Sequence, residues 1–157
     1  MELRQKPGLH AHTQIVYSNH MKDVLPVLMR WLHISSAVLL VGGLLYGRMV
    51  LKATSEALSP DSAEKLSDSA AALFRPRVIV YVLLLLLSGV YNILVTPGHT
   101  TRYHVWLGIK LLLALHVFAA GFLATRPGNP RRARMMAGAG LSGLIVILIA
   151  NYLKGIY

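Results

Sequence analysis

The chain has 157 residues, 55% of them hydrophobic and only 14% charged, a balance that excludes a small soluble domain and fits one compact membrane bundle. The absence of cysteine excludes disulfides, thiol catalysis, iron–sulfur ligation and covalent haem attachment. Lysine and arginine outnumber the acids by 16 to 6, but they gather at the ends of apolar runs, which speaks for topology and lipid headgroups and against nucleic acid.

In chain order, Met1–Asp23 is polar and reads as a weakly structured arm. It carries His10, His12 and His20, yet a metal site needs three or four ligands in fixed geometry. It lacks the apolar stretch of a cleavable signal peptide, so the first span is expected to serve as the insertion signal. That span covers about 24–50, with Pro26 in its first turn, and holds His33 and the pair Gly43 and Gly47 in G-x-x-x-G spacing. An ionisable side chain inside a span is a functional-site hypothesis by default.

Residues 52–74 form a polar connection. Ser59-Pro60-Asp61 reads as N-cap, N1 proline and acidic first turn of a short amphipathic surface helix, with Leu66, Ala70 and Leu73 on its apolar stripe. The second span follows over about 76–95, with Tyr81, Ser88 and Asn92 on one polar face that should turn toward the bundle. After a turn at Thr96-Pro97-Gly98, with His99 and His104 nearby, the third span covers about 103–125 and contains Lys110 and His116. A basic loop leads to an uncharged fourth span over about 135–153. The expected fold is therefore all-α: residues 24–157 form a single domain of four transmembrane helices behind the arm 1–23.

Of the sixteen basic residues, nine fall in loops one and three and six on the opposite side. That bias places the two loops in the cytoplasm and both termini outside a plasma membrane.

Two patterns mislead by their letters. Gly138-Ala-Gly140-Leu-Ser-Gly143 matches a dinucleotide motif, but it opens a lipid-length helix and lacks the strand that motif requires. Asp23, His33 and Ser35 could be drawn as a hydrolase triad, but residues two apart on a helix do not face each other.

The ionisable residues well inside spans are His33, Lys110 and His116, with Arg30 one turn from His33 on the same face. Counted at ~1.5 Å per residue, Lys110 is level with His33 and His116 lies deeper. Lys110 and His116 are six residues apart and project about 120° from each other. Neutral imidazole is a standard axial ligand, and bundle cores hold such cofactors. These residues therefore suggest haem b bound by His33, with His116 favoured opposite and Lys110 as the alternative, and Arg30 placed for a propionate. The plainer account has each histidine hydrogen-bonding a neighbour and Lys110 reaching toward headgroups.

The stretch Trp31–Tyr46 (WLHISSAVLLVGGLLY), the Ser88–Asn92 segment SGVYN and the Trp106–His116 segment WLGIKLLLALH resemble a family of small membrane proteins. It includes the membrane domain of CopD copper-resistance proteins and the HemJ-type protoporphyrinogen oxidases. The resemblance implies a four-helix bundle, often haem-b-binding or copper-linked, in which His33 matches a first-helix histidine and Lys110 a third-helix lysine. It leaves electron transfer and porphyrinogen oxidation both open. Copper handling through His10, His12, His20, His99, His104 and His33 is a second expectation. A third is a non-catalytic subunit or assembly factor of a larger membrane complex, using the glycine-rich faces of spans one and four. A membrane redox partner would belong to the first reading.

Overall fold

The computed structural model describes residues 8–96 and 100–155, with side chains from Val24 onward. Four helices account for nearly all of it: α1 (Gly8–Ala57), α2 (Pro60–Val95), α3 (Thr101–Ala124) and α4 (Arg132–Lys154). Each is long and apolar enough to cross a membrane. Leu28, Leu39, Leu83, Leu87, Leu112 and Leu148 point outward, as a bundle solvated by lipid requires. The architecture is the all-α membrane bundle expected from composition and periodicity.

Two boundaries differ from expectation. Helix α1 does not begin at Val24: it runs back through Pro26 to Gly8, where a weakly structured arm was expected. No proline or glycine lies between Leu9 and Leu25 to stop it. The helix expected over Ala63–Leu73 is present, but it is the N-terminal part of α2 and continues through Pro76 into the span. The Arg77 guanidinium donates to the Leu73 carbonyl at 2.5 Å beside this proline. At ~1.5 Å per residue, the 36 residues of α2 reach about 54 Å, well beyond a ~30 Å hydrocarbon core. Its polar first half therefore projects beyond the bilayer alongside the end of α1.

Continuity also resets the packing face. Leu66 and Leu73 point outward, and the buried positions are Ala71, Val78 and Leu85, then Ser88. Ser59 occupies the N-cap position of α2 and Pro60 opens the helix, as its sequence predicts, although the Ser59 side chain accepts no backbone N–H and its hydroxyl donates to the Ser62 hydroxyl instead. Thr100 caps α3 by accepting from the Tyr103 N–H at 3.2 Å.

Helix α1 packs against α2 and α4, and α3 packs chiefly against α4. One core lies toward the α1–α2 turn and draws on all four helices, through Leu40, Leu44, Val78, Leu85, Val117, Ala120, Met136 and Ala139. At the opposite end a second cluster of Tyr103, Ile149 and Leu153 joins only α3 and α4. There no described α1 residue before Ser36 and no described α2 residue after Ser88 is buried. Described burial thus falls away at that end between α1 and α2 on one side and α3 and α4 on the other, and this thinly packed cleft is where His33 lies.

Glycines bring α1 and α4 together. A Cβ on Gly143 would collide with the Val41 side chain, and one on Gly140 with Leu45. On α1, a Cβ on Gly43 would sit 2.6 Å from Phe74 Cζ, and Gly47 lies against Met136. The glycine-rich faces of spans one and four are therefore consumed within the chain, and the dinucleotide-like letters on α4 serve this packing.

Candidate functional site

His33 sits on α1 where the cleft opens, and its Nδ1 lies 2.9 Å from Ser88 Oγ on α2. Gly89 makes this approach possible, since a Cβ there would stand 3.3 Å from His33 Cε1. Ser88 is 1% exposed, and its hydroxyl donates to the Leu84 carbonyl at 2.5 Å. This back-bonding within a helix spends the only proton the hydroxyl has. With that proton spent, Ser88 is left to accept from His33, an arrangement in which Nδ1 would carry the imidazole proton and Nε2 would keep its lone pair.

Lys110, half-buried on α3, lies close enough for its charge to act on His33 across the cleft. The spacing of six residues on α3 has the expected consequence: His116 faces a different neighbour. Its side chain is exposed, and its Nε2 would lie 3.7 Å from a Cβ on Gly138 of α4. Lys110 is thus within electrostatic reach of His33, while the His116 side chain lies beside Gly138 of α4. Arg30 is exposed one turn from His33, at the lip of the cleft. Of the polar stripe on α2, Ser88 is the member in the site; Tyr81 packs on the core and Asn92 is half-buried.

Aromatic side chains mark the same end. Trp31 is exposed, Trp106 meets Tyr152 edge-on at 5.2 Å, and Arg102 lies over the Tyr152 ring at 5.7 Å. Tyr and Trp favour membrane–water interfaces, so the His33 cleft opens near one of them.

The histidines invoked for copper at positions 10, 12, 20 and 99 lie outside the described side chains, and His104 meets the Tyr103 ring edge-on. Among the described residues no group of three or more His, Asp or Glu side chains is placed to hold a metal ion.

A second polar centre, at the opposite end, was not foreseen. Arg132, the first residue of α4, is 5% exposed. It pairs with Asp68 at 2.5 Å, donates to Ser67, and donates to the Ala124 and Arg126 carbonyls at 2.9 and 2.8 Å. Asp68 also accepts from the Gly128 N–H at 3.0 Å, in a loop that Gly128 turns with φ of 60°. The hydrogen bond from Arg132, reinforced by that from Gly128, holds the Asp68 carboxyl below the ordinary carboxylate range. In sequence Arg132 is one of several basic loop residues, and nothing marks it as the one that folds inward.

No family model, no curated protein and no solved structure matches the chain.

Proposed function

We propose that the chain is a haem-b-binding membrane redox protein of the CopD and HemJ-like type. The observation that supports this reading most is the proton accounting at His33. Its Nδ1–H is anchored to Ser88, and the Nε2 lone pair is left for an axial bond. Metal-ligating histidines are held in just this way, with the outer ring nitrogen donating to a fixed acceptor. The donor chemistry therefore fits the group. His33 would hold the iron, Lys110 is the nearest further candidate for the group, either as a second ligand or as a propionate partner, and Arg30 would be a propionate partner. His116, on the α4 side, would serve only a haem reached from there. Bound at this position, haem would supply one-electron chemistry, for electron transfer or porphyrinogen oxidation.

The chain's own residues do the rest. Ser88 would fix the tautomer and the ring orientation, Gly89 lets the imidazole lie against α2, and Lys110, where its amine stays protonated and does not itself bind iron, supplies positive charge beside the ligand. The excess of basic residues at the α1–α2 end favours the cytoplasmic side of a plasma membrane for that end and the outer side for the His33 cleft. The consumption of the glycine faces inside the bundle weighs against the reading as an assembly subunit.

The test is an absorption spectrum of the detergent-purified full chain, oxidised and reduced, after incubation with haem. A Soret band with reduced α and β bands is expected for wild type, and its loss for His33→Ala. No band in wild type, or an unchanged band in the variant, would refute the proposal.

A further inference from the structure

At the basic end a cavity of about 390 Å³ lies between α1, the outer part of α2 and the start of α4. Its lining includes Arg48, Lys52, Ser67 and Arg132 and no acidic residue. Arg132 is neutralised by Asp68, so the uncompensated charge comes from α1. Arg48 is exposed and anchored by a hydrogen bond from Nη1 to the Ala133 carbonyl at 2.8 Å, which leaves its other N–H groups unspent. Lys52, one turn on, stands 3.9 Å from Glu56, a loose and largely solvated contact. Ser67 accepts from Arg132, and that bond does not use its own hydroxyl proton. The α4 start forms another wall; the Arg132 N–H is taken by the Asn129 carbonyl, so the helix end contributes its dipole and no more than the later N–H groups of its first turn.

The position of the cavity decides what would enter it. Arg48 is the first charged residue after the apolar run that follows Arg30, Arg75 and Arg77 stand where the apolar half of α2 begins, and Arg134 stands in the first turn of α4. The cavity therefore opens at headgroup level. Basic pockets between helices at that level suit the phosphates of anionic lipids.

We infer that this cavity binds the phosphate group of an anionic phospholipid, held by Arg48 and Lys52 with the Ser67 hydroxyl and the α4 N-terminus behind it. It is a site independent of the His33 cleft.

The test is native mass spectrometry of the detergent-purified full chain, titrated with phosphatidylglycerol or with phosphatidylcholine. Wild type should bind phosphatidylglycerol preferentially. Arg48→Gln and Lys52→Gln should each lower that binding about fivefold. Arg134→Gln removes the same charge from a nearby position outside the cavity lining and should leave binding unchanged. Equal losses in all three variants would show diffuse surface attraction and overturn the site. A further arm adds inorganic phosphate. Persistence of the lipid adduct supports the lipid assignment, and displacement at equal concentration assigns the cavity to soluble phosphate and overturns it. Circular dichroism of each variant must match wild type, with Lys52→Met as a second variant where Lys52→Gln does not fold.

Discussion

A single hydroxyl proton decides the chemistry at His33. Ser88 gives it to Leu84, and the imidazole must answer as a donor. Ser88→Ala removes that acceptor while leaving His33 in place. On the proposed haem reading, the expected result is a loss of haem affinity of about 10- to 100-fold, the usual effect of deleting the outer partner of a ligating histidine. Haem titration followed at the Soret band measures it, and an affinity equal to wild type would remove Ser88 from the site. At the other end, Asp68 makes a prediction about acid. Its carboxyl titrates lower in the folded chain than in the unfolded one. Its contribution is therefore complete above the unfolded value of ~3.9 and is lost as pH falls through the lower folded value. Thermal melts of Asp68→Asn should fall several degrees below wild type at neutral pH, with the gap closing below about pH 4. A gap that persists undiminished to about pH 2 would show that charge at Asp68 contributes nothing.

Among the elements, α1 and α4 depend on close approach at specific glycines. Gly143 faces the β-branched Val41, whose stiff side chain cannot swing away. Gly143→Ala should destabilise the bundle by about 1–3 kcal/mol, as overpacking does. Gly42 has open space around its Cβ position, so Gly42→Ala should be neutral or slightly stabilising. Denaturant titration in mixed micelles compares the two, and equal effects would contradict the packing assigned to these glycines. The letters at 43, 47, 140 and 143 announced close packing but not its partner. The periodicity of α2 was also ambiguous over 60–74, where a helix can lie on the membrane or stand out of it. The fully helical run through Pro76, and the burial of Ala71 in line with Val78 and Leu85, decide for the second.

For the molecule as a whole, orientation is open to a direct experiment because the chain contains no cysteine. Thr101 and Ser69 are exposed at opposite ends of the bundle. In intact cells, Thr101→Cys should react with a membrane-impermeant maleimide, and Ser69→Cys should react only after lysis. The reverse pattern would invert the proposed topology, placing the His33 cleft on the cytoplasmic side. The same view of the whole explains why the cleft lies where it does. The four-helix core ends near Leu85 and Val117, and beyond it α3 and α4 keep a cluster of their own.

Composition and apolar run length were enough to determine four membrane-length helices, because a bilayer demands lengths of ~20 apolar residues and tolerates few charges within them. Spacing alone also separated Lys110 from His116, since six residues on a helix force a wide angle between them. Which of the two can meet His33 depends on how the helices pair, and that pairing is set by contacts between residues far apart in the chain. Ser88 was legible as polar and inward-facing, but not as the acceptor that fixes a histidine tautomer. Arg132 was legible only as charge; its burial required Asp68, 64 positions away, to arrive beside it. Backbone preference and hydropathy act locally and survive in the sequence. Proton direction, cleft shape and the neutralisation of a buried cation arise only when separate helices share space.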